Sequence, residues 1–216
     1  MKQLSARCVV YLFLLMVMLI GSSQAEPATK WDLSKAHSSV TFKIWHMMTP
    51  VYGSFDDFDA DIHFDPQNLA GSSIKVTIQI PSINTGWGPR DEHLQSEDWF
   101  DAGSYPDMTF TSSEITSTGD DTYVAKGTLK MKGVEKEIEL PFKLLGIKEL
   151  SGDMKETFGD ADEVASFEIS NYSVNRKDYK VGTGTSTRET AAIVYSQVVG
   201  SEVNINIAIE VTRKTS

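Results

Sequence analysis

A chain of 216 residues with 30 acidic against 20 basic side chains carries a formal charge of −10, which argues against nucleic-acid partners and against adhesion to anionic lipid surfaces. Its one cysteine, Cys8, lies in an N-terminal apolar stretch, so the rest of the chain has neither a disulfide nor a thiolate metal site to lean on. This length suits one domain whose stability comes from an apolar core.

The first element reads as a processing signal. Lys2 and Arg7 precede the apolar run Val9–Ile20, and Ser23-Gln24-Ala25 offers small residues for cleavage. The run is shorter than the ~20 residues a helix needs to span a bilayer. Residues 1–25 are therefore expected to be cleaved near Ala25, leaving 26–216 as a single exported, periplasmic domain. Cys8 is badly placed for a lipoprotein anchor, so that product is expected to be soluble.

Alternating strands follow. Val40, Phe42, Ile44 and His46 share one face, with Thr41, Lys43 and Trp45 on the other. Phe58, Ala60, Ile62 and Phe64 form the next apolar face, and Asp56-Asp57 breaks the alternation after Phe55, as a bulge or bend would. Asp65-Pro66-Gln67-Asn68 is a turn, after which Ile74, Val76, Ile78 and Ile80 face inward.

Asn84–Phe110 is far longer than a hairpin needs. It carries two tryptophans, a histidine, an arginine and a short helical run near 90–100, which reads as a segment closing one end of a container. Beyond it, Thr109–Ser113 leads through Gly119 into Tyr123–Met131, and Lys132-Gly133 makes a tight turn. Val134, Ile138, Leu140, Phe142 and Leu144 then share a face. Lys148–Glu163 reads as an exposed acidic loop, Phe167 and Ile169 mark a strand, and 187–199 has weaker helical spacing. Val203, Ile205, Ile207, Ile209 and Val211 give the clearest alternation of all.

About eight strands without a βαβ rhythm specify an all-β antiparallel fold. A barrel is preferred over a sandwich, because pairing the long apolar last strand with the first removes an aggregation edge. Eight strands enclose enough room for one small ligand, as in lipocalins. Periodicity alone leaves a filled and a hollow barrel equally open.

Chemistry is sparse. No HExxH or His-x-His pattern occurs among His37, His46, His63 and His93, so no metal site is expected. His63 faces outward by parity, into solvent. Arg90-Asp91-Glu92-His93 is the best catalytic-looking cluster, yet it has no nucleophile elbow or reactive thiol beside it. Asp91 and Glu92 also suit a helix N-terminus, with Arg90 pairing with them.

Taken together, the motifs resemble the YceI-like polyisoprenoid-binding family from Trp31 to about Val211. The resemblance rests on His37-Ser38-Ser39-Val40-Thr41-Phe42, Val51-x-Gly53-x-Phe55-x-x-Phe58, Asp65-Pro66 and Ile83-Asn84-Thr85-Gly86. It continues with Arg90-Asp91-x-His93-Leu94, Trp99-Phe100-Asp101, Tyr105-Pro106, Lys132-Gly133-Val134 and Asn175-Arg176-x-Asp178-Tyr179. Tyr179-Lys180 stands where the family pattern more often has Phe-Gly, and Trp99-Phe100 where it has Phe-Phe.

The resemblance implies an extended eight-stranded lipocalin-like barrel that holds a long isoprenoid, a quinone or a polyprenyl phosphate, without any cofactor or catalytic residue. By strand parity the cavity wall is expected from Val40, Phe42, Ile44, Phe58, Ile62, Val76, Ile78, Leu129, Ile138, Leu140, Phe142, Phe167, Ile205 and Ile207. His46, Arg90, His93 and Trp99 are the rim and headgroup candidates. The expected partners are the lipid itself and, transiently, inner-membrane proteins, with a homodimer left open. The competing reading is a lipid-acting hydrolase or isomerase with His46 or His93 as general base.

Overall fold

The computed structural model describes residues 26–183 and 198–215. The expected signal segment and most of the weak helical spacing at 187–199 lie outside these residues; Val199 opens the last strand.

Eight antiparallel strands close into a barrel, and the first three are each broken in two. The first comprises β1 (Lys30–Leu33) and β2 (Ser39–His46), the second β3 (Thr49–Phe55) and β4 (Phe58–His63), and the third β5 (Ser73–Gln79) and β6 (Ile83–Asn84). Five unbroken strands follow: β7 (Asp107–Gly119), β8 (Thr122–Met131), β9 (Val134–Glu149), β10 (Glu163–Asn175) and β11 (Val199–Arg213). At one end the ring is β1-β4-β5-β7-β8-β9-β10-β11, closed by the pairs Leu33↔Val211 and Asp32↔Thr212. Toward the other end β11 changes partner to β2, β2 pairs with β3, and β3 pairs briefly with β6. Long apolar β11 thus has neighbours on both sides, and the edge hazard is removed.

The breaks have local causes. Lys35–His37 forms one 3₁₀ turn between β1 and β2. At Asp56-Asp57 the chain bends, and the bend is stitched to the third strand by Asp56 N–H to Ser82 O and Gln79 N–H to Asp57 O. The bend keeps both Phe55 and Phe58 inside, which an unbroken alternation would forbid.

Three expectations change. β7 runs on to Gly119, because a bulge between Ser112 and Glu114 switches its parity and turns Ile115 inward. The acidic stretch is not a plain loop: β9 continues to Glu149, and a short helix spans Asp153–Thr157. Buried Leu150 and Ala161 pin it. His63 is half-buried rather than solvated, since its Nδ1 lies 2.9 Å from Ala28 O.

Candidate functional site

The barrel interior holds two packed clusters with a cavity between and beside them. At the β1–β4–β11 end, Phe64 is fully buried against the rings of Tyr123, Phe167 and Phe142, at centroid distances of 5.1, 5.2 and 5.8 Å. Trp31 closes the same end and donates its ring N–H to Phe64 O at 2.9 Å. Arg213 lies over the Trp31 ring at 4.2 Å and pairs with Glu163.

The long connection packs into the second cluster through Trp99, Leu94, Phe100 and Ala102. Its helix α1 spans Gly88–Gln95, with Pro89 in the first turn. Thr85 organises the entry: its N–H and hydroxyl both donate to Asp91, while Arg90 Nε donates to its hydroxyl at 2.7 Å and Nη2 to its carbonyl at 2.8 Å. Arg90 therefore binds the loop backbone, not the acids expected beside it. Beyond α1, Trp99 is buried, with the edge of His93 at 6.2 Å, and Phe100 meets Phe55 at 6.1 Å.

Two buried cations clamp this connection, and both went unrecognised in the sequence as site builders. Lys132, in the β8–β9 turn, donates to the carbonyls of Trp99 and Glu97. Arg176, buried and 4.9 Å over the Trp99 ring, donates to the carbonyls of Gly200, Val181, Gly182 and Val199. Desolvation lowers the pKa of both; for Lys132, Asp101, Asp98 and Glu97 work against that shift. Gly182 is required here. Its φ is +65°, and a Cβ would stand 2.5 Å from Arg176 Nη1 and 2.7 Å from the Trp99 ring.

Between the two ends lies the cavity. It comprises about 1260 Å³ of empty space out to solvent, and the centre of a water-sized sphere can move through about 140 Å³. Its exposed wall is almost wholly carbon. Of the fourteen residues placed on the wall by strand parity, all except Ile44 line it. Ile44 sits on β2 beyond the cavity, paired with Val51 and Val203. Phe55, Met108, Phe110, Met131, Ile169 and Ile209 also line it, and the same inward alternation carried that signal.

None of the four rim candidates lines the cavity. His46 is exposed at the end of β2, Arg90 and His93 serve α1 and its flanks, and Trp99 belongs to the buried end cluster. Among the described residues no group of three His, Cys, Asp or Glu side chains could hold a metal.

A closed antiparallel barrel around an apolar lumen, with a ring cluster packed at one end and a clamped connection packed at the other, defines a lipocalin-like class. The chain belongs to the YceI-like domain family, whose profile matches residues 31–211. A UPF0312 protein of Photorhabdus laumondii is 35% identical over 181 residues, 82% of this chain and 89% of that one. The crystal structure of Burkholderia cenocepacia BcnA superposes with a TM-score of 0.67 at 27% identity, covering 83% of this chain and 99% of the other. A polyisoprenoid binding domain from Saccharophagus degradans, 18% identical, shares the fold with a TM-score of 0.61 over 85% of this chain and 97% of its own.

Proposed function

We propose that this protein is a periplasmic carrier that holds the tail of a long isoprenoid lipid in the barrel and catalyses no reaction. The observation that carries the reading is the cavity wall: inward aliphatic and aromatic side chains from every strand, with almost no polar atom exposed among them. The polyisoprenoid-binding domain of the same fold supports it, and the basic and apolar N-terminal pattern supports export.

Magnitudes select the ligand class. Each buried methylene is worth about 0.8 kcal/mol, so one five-carbon unit contributes about 4 kcal/mol. Association costs roughly 4–15 kcal/mol, so a tail of about three units or more is needed for useful affinity. The open lumen is narrow for such a tail. Partly buried wall residues such as Ile78, Leu129 and Ile205 therefore swing aside on loading. A flexible prenyl chain fits that demand better than a rigid ring system.

The headgroup stays neutral. Lys132 and Arg176 are occupied by carbonyls and are absent from the cavity wall, so a phosphate inside would lack a cation. This favours a quinone-type head over a polyprenyl phosphate. The same geometry disfavours turnover with His46 or His93 as base, because neither imidazole reaches the lumen.

Native mass spectrometry of the purified protein, with and without added isoprenoid quinone, tests the reading. We expect bound prenyl lipid in the wild type and loss of uptake in Ala60→Phe, which fills the wall at a cost of about 1–3 kcal/mol in stability. Failure of the folded wild type to take up any prenyl compound would overturn it.

A further inference from the structure

The β2–β3 hairpin carries apolar side chains on its outside as well as its inside. Its tip, Met47-Met48, is 66% and 87% exposed, and Trp45 and Tyr52 behind it are 46% and 65% exposed. Trp45 lies directly opposite Pro50, and Tyr52 opposite Lys43, so these residues share the outer face. From Gly53 toward the tip β3 pairs with β2 alone among the described residues, since β6 reaches only Ser54 and Phe55.

Charge selects the occupant. No Asp or Glu lies between Asp32 and Asp56, in a chain that has 30 acids. Lys35 and Lys43 are the charged residues of that stretch. The overall charge of −10 therefore does not describe this hairpin. β11 brings one carboxylate beside it, Glu202, which accepts from the Ser173 hydroxyl, so the face is close to neutral and does not match a basic protein partner. Trp and Tyr around an uncharged Met tip, with a lysine one step behind, is the pattern of side chains that settle at a membrane–water interface.

Behind the tip, the hairpin also borders the cavity wall. An open groove lined by Thr41, Tyr52, Ser54, Asn84 and Asn206 shares Thr41 and Phe42 with the cavity wall. Between groove and lumen the sheet is thinned at Gly53, where an added Cβ would stand 2.4 Å from the tip of the Phe42 ring. Phe42 is thus the side chain separating the outer groove from the lumen.

We infer that the Trp45–Tyr52 hairpin is a membrane-docking tip. It inserts into the headgroup region of a bilayer and sets the Gly53–Phe42 wall beside the lipid that the barrel loads or delivers. The inference rests on the proposed carriage of a bilayer lipid, but its test is separable from it.

The experiment is flotation of the purified protein with phosphatidylcholine vesicles and with vesicles containing anionic phosphatidylglycerol. Solution uptake of an isoprenoid quinone is measured in parallel. The wild type should float with both, and the triple variant Trp45→Ser, Met47→Ser, Met48→Ser should partition at least about ten-fold more weakly. The altered side chains are exposed, so the variant's quinone uptake in solution should equal that of the wild type. A wild type that stays with the soluble fraction, or a variant that floats as well as the wild type, would overturn the inference. Self-association of the wild type that the variant abolishes, without vesicle binding, would assign the tip to a second copy instead. Loss of quinone uptake with flotation intact would remove the carrier reading and leave the docking tip standing.

Discussion

Each end of this barrel carries a buried tryptophan under an arginine, yet the two seals are built on opposite principles. At the Trp31 end the ring is 0% exposed and is wedged among Phe64, Ile62 and Val211, all on or beside strands of the closed ring. Its Arg213 is largely buried and neutralised by Glu163. At the Trp99 end the ring hangs on a long connection, and Arg176, 3% exposed, donates to carbonyls instead of a carboxylate. The first seal is dispersion and area; the second is hydrogen bonding to backbone that has no ladder of its own. An end held by strand pairing resists local opening, whereas an end held by a clamp can open without unfolding the barrel.

Phe64→Ala should show the largest effect. It empties the centre of the ring cluster formed with Tyr123, Phe142 and Phe167, at a cost of about 3–5 kcal/mol. Urea unfolding should move to a lower midpoint as one transition, because that cluster touches most strands. A separate early transition confined to this end would contradict the proposed rigidity.

Next in size is Arg176→Lys, at roughly 2–4 kcal/mol. An ammonium cannot reach the carbonyls of Val181, Gly182, Val199 and Gly200 together, so buried acceptors lose their donor. Hydrogen exchange should accelerate around Trp99 and Tyr179 while amides near Phe64 remain protected. Uniform acceleration would mean that the two ends open together.

How much of this was legible depends on what each seal is made of. Alternation in β4, β5, β8 and β11 gave the wall, because side-chain period alone decides which face is buried. Ile44 failed because parity names a face but not how far the lumen extends along it. Ile115 was missed because a one-residue bulge reverses parity without leaving a mark in composition. The clamp was hardest. Lys132 and Arg176 look like surface cations in sequence, and only the fold brings Trp99, 33 positions from Lys132, under them. Lys180 is instructive in the same way. It occupies the left-handed region at φ +60°, where the family pattern more often has glycine, so the motif encoded a backbone requirement before any contact was known.

The third prediction uses pH to separate the ends. Burial, with Tyr172 and Asp178 adding to it, raises the Tyr179 phenol from 10.0 to about 12. A neutral phenol is thus favoured by the fold. Its contribution is complete below pH 10 and is lost as pH rises through about 12, a change of roughly 3 kcal/mol. Lys132 opposes this in part, since burial favours its neutral form and its contribution improves as pH climbs toward 10.5. Tyr179→Phe should flatten the alkaline loss measured by urea midpoints between pH 9 and 12, leaving a smaller slope from Tyr172 and Tyr123, whose phenols burial also raises. An unchanged slope would place the alkaline weakness elsewhere.

Arg213→Lys should matter least, and for a reason that completes the contrast with Arg176. Lysine retains a positive charge within reach of Glu163, so this largely buried pair keeps both of its charges. What is lost is the flat guanidinium stacked 4.2 Å over Trp31, worth about 1–2 kcal/mol at a largely buried site. Trp31 itself stays fixed by its bond to Phe64 O and by the strands around it. The same substitution should therefore cost about half as much here as at Arg176, with hydrogen exchange near Phe64 unaltered. If urea midpoints showed the two Arg→Lys variants to be equal, area burial would not be what holds the Trp31 end, because a seal made of dispersion should hardly notice which cation covers it.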